Sequence, residues 1–334
     1  MLRKLLRVLG IVLAAAIVIR AALAVIGAAL LLYLEPYVTY DRDGAHLSLK
    51  KNAQDPDGTG ATAALPEVSD AQIVYDEAQP GSDRIADLGG VYVTTQMLRD
   101  PEAVRAALER QGACAVLLQL KSTFGNFYYS SSIDGAELAD VDTAAVDSLI
   151  DWLSQHGYYL IAEVPAFCDT AFALANSAAA LPLSSGALWM DSNGCYWLDP
   201  ASETVMIYLK QIARELSSRG FREVVFSEFR FPASNSISYH SEKSGAELTQ
   251  DAAQELTTFF SGSNLMISFE TDDTAFPADV CTGRLYIRDV DGSKIEKFAQ
   301  AYGSAENLTE LVFLVNSKDT RFDERAVLRP LLNS

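Results

Sequence analysis

Strand-like and helix-like segments alternate along this chain from residue 90 almost to its end, and this alternation restricts the fold more than any other feature. Strand-like runs occupy residues 90–93, 113–121, 158–164, 223–228, 265–270, 285–288 and 311–315, and an eighth is expected near 326–332. The run at 113–121 is almost continuously apolar, which is typical of a buried parallel strand. This alternation predicts an α/β fold with a parallel sheet.

Helix signals separate the predicted strands. Asp100 and Pro101 form a typical helix start, and Gly112 is placed to end the same helix. Asp142 begins the next helix, in which apolar residues recur at helical spacing. We therefore predict a TIM-type (β/α) barrel of seven to eight strands and prefer this fold to an open doubly wound sheet. No glycine-rich phosphate-binding motif follows any strand, so nucleotide binding lacks its usual support.

The first 34 residues predict a transmembrane signal anchor. Three basic residues precede an apolar run over residues 8–34 that only Arg20 interrupts. This run is long enough to cross a hydrocarbon layer, which requires about 20 residues. The basic flank places the N-terminus in the cytoplasm and the C-terminal domain outside the cell, as a single-pass protein of the cell membrane. A cleaved signal peptide is the alternative, because Ala22 and Ala24 offer small residues for cleavage.

Composition divides the rest of the chain. Residues 35–84 are expected to form a short extended piece and a flexible linker, because residues 50–82 are rich in Asp, Gly, Ala, Pro and Thr. Residues 85–334 are expected to form the barrel. The 26 basic residues of the chain less the four in the anchor leave 22 against 44 acidic residues, a net charge of −22. Such a surface repels nucleic acid, so a nucleic-acid partner is excluded.

Cysteine and histidine usage argues against a metal centre or other cofactor. The four cysteines show no CxxC spacing, and the three histidines are scattered. No GxSxG motif is present, so a Ser–His–Asp triad lacks its usual nucleophile turn. Cys168 and Cys195 both fall in predicted loops, where a disulfide between them is compatible with an extracellular location.

Acidic residues stand at the carboxyl ends of several predicted strands. In an α/β barrel these ends converge on one mouth, where the chemistry takes place. Glu228 and Glu270 are predicted to be the pair of carboxylates that glycoside hydrolysis requires, with Glu163 as a further catalytic candidate. Because side chains alternate along a strand, Glu228 can share the mouth with Ser227 only if the strand kinks at its end.

Other residues near the same strand ends are expected to bind a sugar. Arg230 is suited to orient a carboxylate, and the indole of Trp197 offers a flat face for a sugar ring. The residues that we expect to bind substrate on this ground are Lys121, Asp169, Trp197, Ser227 and Arg230. The predicted partner is therefore a polysaccharide or other glycan.

Five segments of the chain carry a resemblance to a known family. They are residues 90–94 (GVYVT), 119–130, 167–169 (FCD), 197–200 (WLDP) and 226–232 (FSEFRFP). In this order they resemble the motifs of the bacterial DUF4015 family of glycoside hydrolase-like domains, over residues 89–232 well and over the remainder loosely. The resemblance implies a TIM barrel of the glycosidase type, often membrane-anchored or secreted. It also adds Asp199, in the WLDP segment, to the residues expected to bind substrate.

The chain departs from the family pattern at positions that matter for chemistry. Gln119 stands where the family has an Asp, and Glu163 stands where it has an Arg. Ser227 takes the position of the Asp that is expected to act as nucleophile or base, and Glu228 takes the position of a Tyr. The following Arg230 matches the family.

These departures leave two main hypotheses open. One is a surface-anchored glycoside hydrolase that acts on a cell-wall or environmental polysaccharide. The other is a catalytically degenerate barrel that binds glycan or protein without hydrolysis, since a fold does not guarantee its usual activity. A structural envelope protein with an incidental acidic mouth is a third, weaker hypothesis.

Overall fold

The computed structural model describes residues 38–41, 44–47, 89–303, 305, 308–316 and 319–331. The anchor predicted over residues 1–34 lies outside these ranges, as does the predicted linker apart from a hairpin of two antiparallel strands, Val38–Asp41 and Gly44–Leu47. Within the described ranges, no helix combines the length and the apolar character that a membrane crossing requires. The chain divides into two compact units, and the second, Val74–Ser334, contains the barrel.

Eight parallel strands close into a barrel in the order of the chain. They are β1 Gly90–Val93, β2 Ala115–Gln119, β3 Tyr159–Pro165, β4 Glu223–Ser227, β5 Met266–Thr271, β6 Arg284–Arg288, β7 Glu310–Leu314 and β8 Ala326–Pro330. Each strand pairs with the next, and β8 closes the ring by pairing Leu328 with Gly90. The predicted TIM-type barrel is therefore confirmed, and the uncertain eighth strand completes it.

Helices follow most of the strands, and the first two start at the predicted Asp100 and Asp142, whereas the short helix after β3 was not predicted. They are α1 Pro101–Gln111, α2 Thr143–Gln155, α3 Thr170–Ala175, α4 Glu203–Ser218, α5 Gly245–Phe260 and α6 Ile295–Tyr302. Asp100 caps α1 by accepting a hydrogen bond from the backbone of Ala103 at 3.0 Å, and Asp142 caps α2 in the same way. Gly112 ends α1 with a φ of +66°, a conformation that costs glycine little.

The core has two layers that follow from side-chain alternation. Along β2, Ala115 and Leu117 point into the barrel, whereas Val116 and Leu118 point outward against the helices. The outer layer receives the apolar face of α4, where Leu209 and other residues are fully buried. The backbone scaffold is thus fixed on both sides of the sheet, and the strand ends carry the polar side chains.

A polar cluster fills the amino-terminal half of the barrel interior. Arg284, the first residue of β6, is fully buried and forms an ion pair with Glu223, the first residue of β4. Its Nε lies 3.2 Å from Oε2 of Glu310. The hydroxyls of Ser268 and Tyr286 donate to Oε1 of Glu223, at 2.6 and 3.0 Å respectively. This cluster lies at the end of the barrel opposite the mouth, where we expect residues to serve stability.

Candidate functional site

The carboxyl ends of the strands surround a small cavity that holds two of the predicted carboxylates. This cavity, of about 250 Å³, is lined by Glu228, Glu270, Arg288 and Asp289, among others; we call it the glutamate cavity. Glu228 and Glu270 come from the ends of β4 and β5, which are neighbouring strands. The structure therefore brings together the two acids that the sequence proposed as a pair.

A backbone kink turns Glu228 into this cavity. Strand β4 ends at Ser227, and Glu228 then has a φ of +49°, a left-handed conformation that is uncommon outside glycine. The next residue, Phe229, is buried between the rings of Phe167 and Phe269, each with its centroid 4.6 Å away. The sequence required a kink at the end of β4 for Glu228 to reach the mouth. This kink is present, and the packing of Phe229 between two aromatic rings stabilises it. Strain of this kind is frequent at functional sites.

Arg288 bridges the carboxylates of Glu270 and Glu163. Its Nε and Nη2 lie 2.9 and 2.7 Å from Oε2 of Glu270, and Nη2 also contacts Glu163 at the end of β3. Gln119 donates to the same Glu163 from its Nε2, 3.2 Å from Oε1. Gln119 therefore acts as a neutral donor at a position where an Asp would place another negative charge beside Glu163.

Burial and neighbouring charges raise the pKa values of both glutamates. Burial, with a contribution from the negative charge of Glu163, raises the pKa of Glu270 to about 7, although Arg288 opposes the shift. Burial also raises the pKa of Glu228, against the lowering effect of Arg230. The site can therefore hold a proton on Glu270 near neutral pH, which is the property required of a general acid.

A larger cavity with aromatic walls adjoins the glutamate cavity. This aromatic cavity has a volume of about 660 Å³, and its walls include Trp189, Trp197 and Phe231. The residues that line both cavities are Phe229, Arg230, Thr271 and Asp272. Trp197 is only 2% exposed, so the structure does not support its predicted contact with a sugar, whereas Trp189 in the same wall is half-buried and presents its ring more openly.

Arg230 stands between the two cavities and connects their groups. Its Nη2 lies 3.1 Å from Oε2 of Glu228, and its Nη1 lies 3.7 Å from Oδ1 of Asp272. The guanidinium carbon is 5.3 Å from the ring centroid of Trp197. The indole is fixed in turn by Asp191, whose Oδ2 accepts from Nε1 of Trp197 at 3.1 Å. Arg230, which lines both cavities, therefore lies against Trp197 in the wall of the aromatic cavity.

The structure places the other predicted binding residues away from both cavities. Lys121 and Asp169 form an ion pair with 2.6 Å between Nζ and Oδ2, and both side chains are 0% exposed. Asp169 also accepts from the hydroxyl of Tyr208 on α4 at 2.9 Å. Their predicted contact with substrate is corrected on this ground, because no part of either side chain is open to a ligand. The pair instead anchors loops beneath the mouth.

Asp199 and Ser227 are also outside the two cavities. Asp199 accepts from the backbone of Ala201 at 2.9 Å and from the hydroxyl of Tyr239 at 2.8 Å, so it holds the turn before α4. Ser227 is buried at the end of β4, where its carbonyl accepts from the backbone of Ala166. Neither residue lines the glutamate cavity or the aromatic cavity. The structure thus gives no support to direct contact of either with a sugar.

No two cysteines are joined by a disulfide in the described part of the chain. Cys168 and Cys195 are both buried and their thiols are hydrogen-bonded neighbours, but they are not joined by a disulfide. Burial is the main cause that raises the pKa of the Cys168 thiol. In the part of the chain that the structure describes, no group of three or more His, Cys, Asp or Glu side chains is arranged to hold a metal ion.

The role of Arg288 was not foreseen from the sequence. Arg288 ends the strand-like run at residues 285–288, but only the closed ring shows that β6 brings it between Glu163 and Glu270. The bracing of Trp197 by Asp191 depends on a turn within the long loop after β3, in which Asp191 also accepts from the backbone of Cys195. The position of Arg288 at the end of a predicted strand could have indicated that it lies at the mouth. No sequence pattern indicates the contact of Asp191 with Trp197.

A substitution at Gly125 tests whether the buried ion pair of Lys121 and Asp169 anchors the loops below the mouth. The φ of Gly125 is +95°, and a Cβ there would lie 2.4 Å from Oδ1 of Asp169 and 2.5 Å from Cβ of Ala171. We expect Gly125→Ala to reduce the free energy of unfolding by about 2–4 kcal/mol, through backbone strain and the collision with the buried acid. Urea unfolding provides the measurement.

Gly135→Ala is the matched control for this prediction. Gly135 also has a positive φ, +76°, but a Cβ there would meet nothing within 4 Å. Its cost is expected to be limited to backbone strain, about 1 kcal/mol. Equal costs for the two variants would contradict the account of Gly125.

Comparison with known proteins supports the fold and the family. The model of DUF4015, described as "Putative glycosyl hydrolase domain", matches residues 90–289. No curated protein matches the chain. Among solved structures, an inactive mutant of the GH20 exo-β-N-acetylglucosaminidase from Vibrio harveyi is 9% identical with a TM-score of 0.51, over 72% of this chain and 49% of that one.

This chain also matches two further solved structures over nearly the whole length of each of those proteins. A hypothetical protein from Ruminiclostridium thermocellum ATCC 27405 is 22% identical with a TM-score of 0.48, over 56% of this chain and 99% of that one. The glycoside hydrolase domain of PelA from Pseudomonas aeruginosa is 13% identical with a TM-score of 0.45, over 73% and 96%. Of the three solved structures, only the Vibrio harveyi enzyme has a TM-score above 0.5, and at 9% identity it bears on the fold alone. The family match itself covers more than half of the chain, and the protein therefore belongs to the DUF4015 family of glycosyl hydrolase-like domains.

Proposed function

We propose that this protein is a glycoside hydrolase that acts on a cell-wall or environmental polysaccharide. One observation carries the proposal, namely that Glu228 and Glu270 line the same cavity at the mouth of a closed barrel. Two carboxyl groups that flank one bond are the shared requirement of most glycoside hydrolases. The family of the chain and the aromatic wall beside the cavity agree with a glycan ligand.

Glu270 is the better general acid of the pair. Its pKa of about 7 keeps a large fraction of the group protonated near neutral pH. In the reaction, this proton passes to the glycosidic oxygen as its bond to the anomeric carbon breaks. The elements of water complete the products, with OH joining the anomeric carbon and a proton returning to the carboxylate pair.

Glu228 is the better carboxylate for the anomeric carbon. Arg230, with its Nη2 3.1 Å from Oε2 of Glu228, stabilises the ionised form of that acid. The negative charge of Glu228 can then stabilise the positive charge that develops on the sugar ring in the transition state. Trp189, half-buried with its ring centroid 6.4 Å from that of the buried Trp197, is suited to pack against a neighbouring sugar unit in the aromatic cavity.

We also propose that the barrel is held on the outer side of the cell membrane. The support is the apolar run over residues 8–34 with its basic N-terminal flank, together with the net charge of −22 over residues 21–334. A single-pass anchor would keep the barrel close to the polymers of the envelope. Fractionation of cells that express the full-length protein, with protease added to intact cells, tests this location.

The pH dependence of the rate follows from the shift at Glu270. Because its pKa is raised, the acid form is present at low pH and is lost as the pH increases through about 7. We therefore expect kcat/KM to fall above pH 7. Glu163→Gln removes a negative charge that raises this pKa, so the alkaline limb should move to lower pH.

The control for the pH profile is Asp134→Asn. Asp134 is exposed in the loop that precedes α2, so removal of its charge should leave the alkaline limb of the pH profile unchanged. If the alkaline limb of the kcat/KM profile does not move in Glu163→Gln, or moves to higher pH, the assignment of Glu270 as the acid is contradicted.

Release of reducing ends from a panel of polysaccharides tests the proposed function. The full-length protein is incubated with neutral, acidic and amino-bearing glycans at pH 6, and new reducing ends are counted over time. We expect release from at least one of them, and loss of that release in Glu228→Gln and in Glu270→Gln. Release that survives both substitutions would overturn the proposal.

A glycan-binding barrel without turnover is the alternative function. The observation that favours it is the loss of two acids that the family pattern places at the strand ends, since Gln119 and Ser227 occupy those positions. Gln119 is neutral and Ser227 is buried, so neither can replace a carboxylate in the cavity. Tight binding on a glycan array together with no release of reducing ends from the same glycans would establish this alternative.

A further inference from the structure

We propose that the mouth of the barrel is a groove for several units of a glycan chain that bears protonated amines, with the Glu228 and Glu270 carboxyls in its middle part. The inference rests on the proposed function for the identity of the ligand as a glycan. It goes further in naming the charge of that glycan and the way in which the chain passes the two acids.

Continuity of the cavities is the first step. A third cavity, of about 490 Å³, lies on the other side of the glutamate cavity and is lined by Asp289, Asp291 and Asp319, among others; we call it the aspartate cavity. Asp289 lines both of these cavities, as Arg230 and Asp272 line both the glutamate cavity and the aromatic cavity. Three cavities therefore follow one another across the mouth, with the two acids in the central one.

The sizes of the cavities favour a chain over a single sugar. Cavities that hold small ligands usually have volumes of about 300–1,000 Å³. The two outer cavities, about 660 and 490 Å³, fall in this range, whereas the central one is smaller, about 250 Å³. A single sugar unit at the two acids would leave both outer cavities unused. A chain that runs through the groove fills all three, and its bonds would then be cut internally.

The charge of the residues that line the groove indicates which kind of glycan it binds. Eight carboxylates line the three cavities, namely Asp191, Glu228, Glu270, Asp272, Asp273, Asp289, Asp291 and Asp319. Two cationic side chains line them, Arg288 in an ion pair with Glu270 and Arg230 in one with Glu228. A third, Arg321, pairs with Asp319 and lies 3.7 Å from Asp291. The groove therefore carries a surplus of negative charge that its own cations do not balance.

Several of these acids are open to a ligand. Asp273 and Asp289 are exposed, and the side chains of Asp272 and Asp291 are 68% and 65% exposed although each also lies 3.7 Å from an arginine, Arg230 and Arg321 respectively. None of these four belongs to the carboxylate pair that the reaction requires. Ammonium groups repeated along a sugar chain can meet them in succession, each contact being modest and the sum substantial. Glycans with uronate, sulfate or phosphate groups would be repelled.

Binding of short oligosaccharides to the full-length protein tests the inference. Glucosamine oligomers of two to six units are titrated calorimetrically, beside N-acetylglucosamine and galacturonic acid oligomers of the same lengths. We expect the glucosamine hexamer to bind at least about 10-fold more tightly than the other hexamers and than its own dimer. Raising the salt from 0.05 to 0.5 M should weaken the glucosamine hexamer most, because exposed charges are screened.

Two substitutions locate the interaction. Asp273→Asn in the aromatic cavity and Asp289→Asn at the shared wall should each weaken the glucosamine hexamer by about 2–5-fold, the range of single exposed ion pairs. Asp289 has a φ of +50°, a conformation that Asn tolerates well, so the second change should leave the backbone intact. Asp134→Asn, outside the groove, is the matched control and should change nothing.

The results separate this inference from the proposed function. Hydrolysis with no preference for amino-bearing chains, or with equal affinity for dimers and hexamers, overturns the inference and leaves the hydrolase intact. Tight, length-dependent binding of glucosamine oligomers without any hydrolysis supports the inference and overturns the hydrolase. Galacturonate or a lysine hexapeptide binding as tightly as the glucosamine hexamer would overturn the assignment of an amino-bearing glycan.

Discussion

Glu270→Gln is expected to lower the rate of reducing-end release by about 10²–10⁴-fold, which is the range that a positioned general acid contributes. Gln keeps the size of the side chain and an oxygen that can accept from Arg288, whose Nη2 lies 2.7 Å from Oε2 of Glu270. It has no proton to give to the leaving oxygen. The measurement is kcat/KM on the best substrate of the panel, with thermal unfolding to establish that the variant is folded.

The loss should be specific to the carboxylate pair. Glu228→Gln is expected to reduce the rate to a comparable degree, because it removes the negative charge beside the developing cation. Asp134→Asn should retain the full rate, since its side chain is exposed and lines none of the three cavities. A Glu270→Gln variant that keeps more than a tenth of the rate would contradict the role of Glu270 as the acid.

Arg284→Met is expected to reduce the free energy of unfolding by about 3–5 kcal/mol, the cost of removing one partner from a buried ion pair. Arg284 and Glu223 are both 0% exposed, and Glu310 is nearly as buried. Loss of the guanidinium leaves two carboxylates in the barrel interior with one fewer cation. Urea unfolding of the full-length protein measures the difference.

Two further variants make this prediction specific. Arg325→Met removes the partner of Glu296 in an exposed pair with 2.9 Å between Nη2 and Oε1, and its expected cost is at most about 1 kcal/mol. Adding Glu223→Gln to Arg284→Met should recover part of the loss, because the uncompensated charge is removed. If Arg284→Met cost no more than Arg325→Met, the polar cluster would not contribute as described.

The barrel was predictable because its signals are local. A strand run, a capping Asp and a glycine stop repeat along the chain, as at Asp100 and Gly112, and each can be recognised without knowledge of the rest. The eighth strand was harder, because Ala326–Pro330 is short and mixes apolar with polar residues. Its place is fixed by pairing with Gly90, more than 200 residues earlier in the chain, which no local pattern reveals.

The site was predictable only in outline. Strand ends gave the correct neighbourhood for Glu228 and Glu270, but the positive φ at Glu228 depends on how Phe229 packs among distant rings. The same reasoning placed Lys121 and Asp169 at the mouth, where they also follow strand ends. Their burial depends on loops that cover them and on Tyr208 from α4, so it could not be read from spacing alone.

The crystal structure of Glu270→Gln with a bound oligosaccharide from the panel tests the central claim most directly. The account predicts that the chain lies in the mouth of the barrel, with one glycosidic oxygen within hydrogen-bond distance of the new amide and the adjoining anomeric carbon facing Glu228. A chain bound on another face of the protein, or one that crosses the mouth with no glycosidic bond between these two side chains, would contradict it.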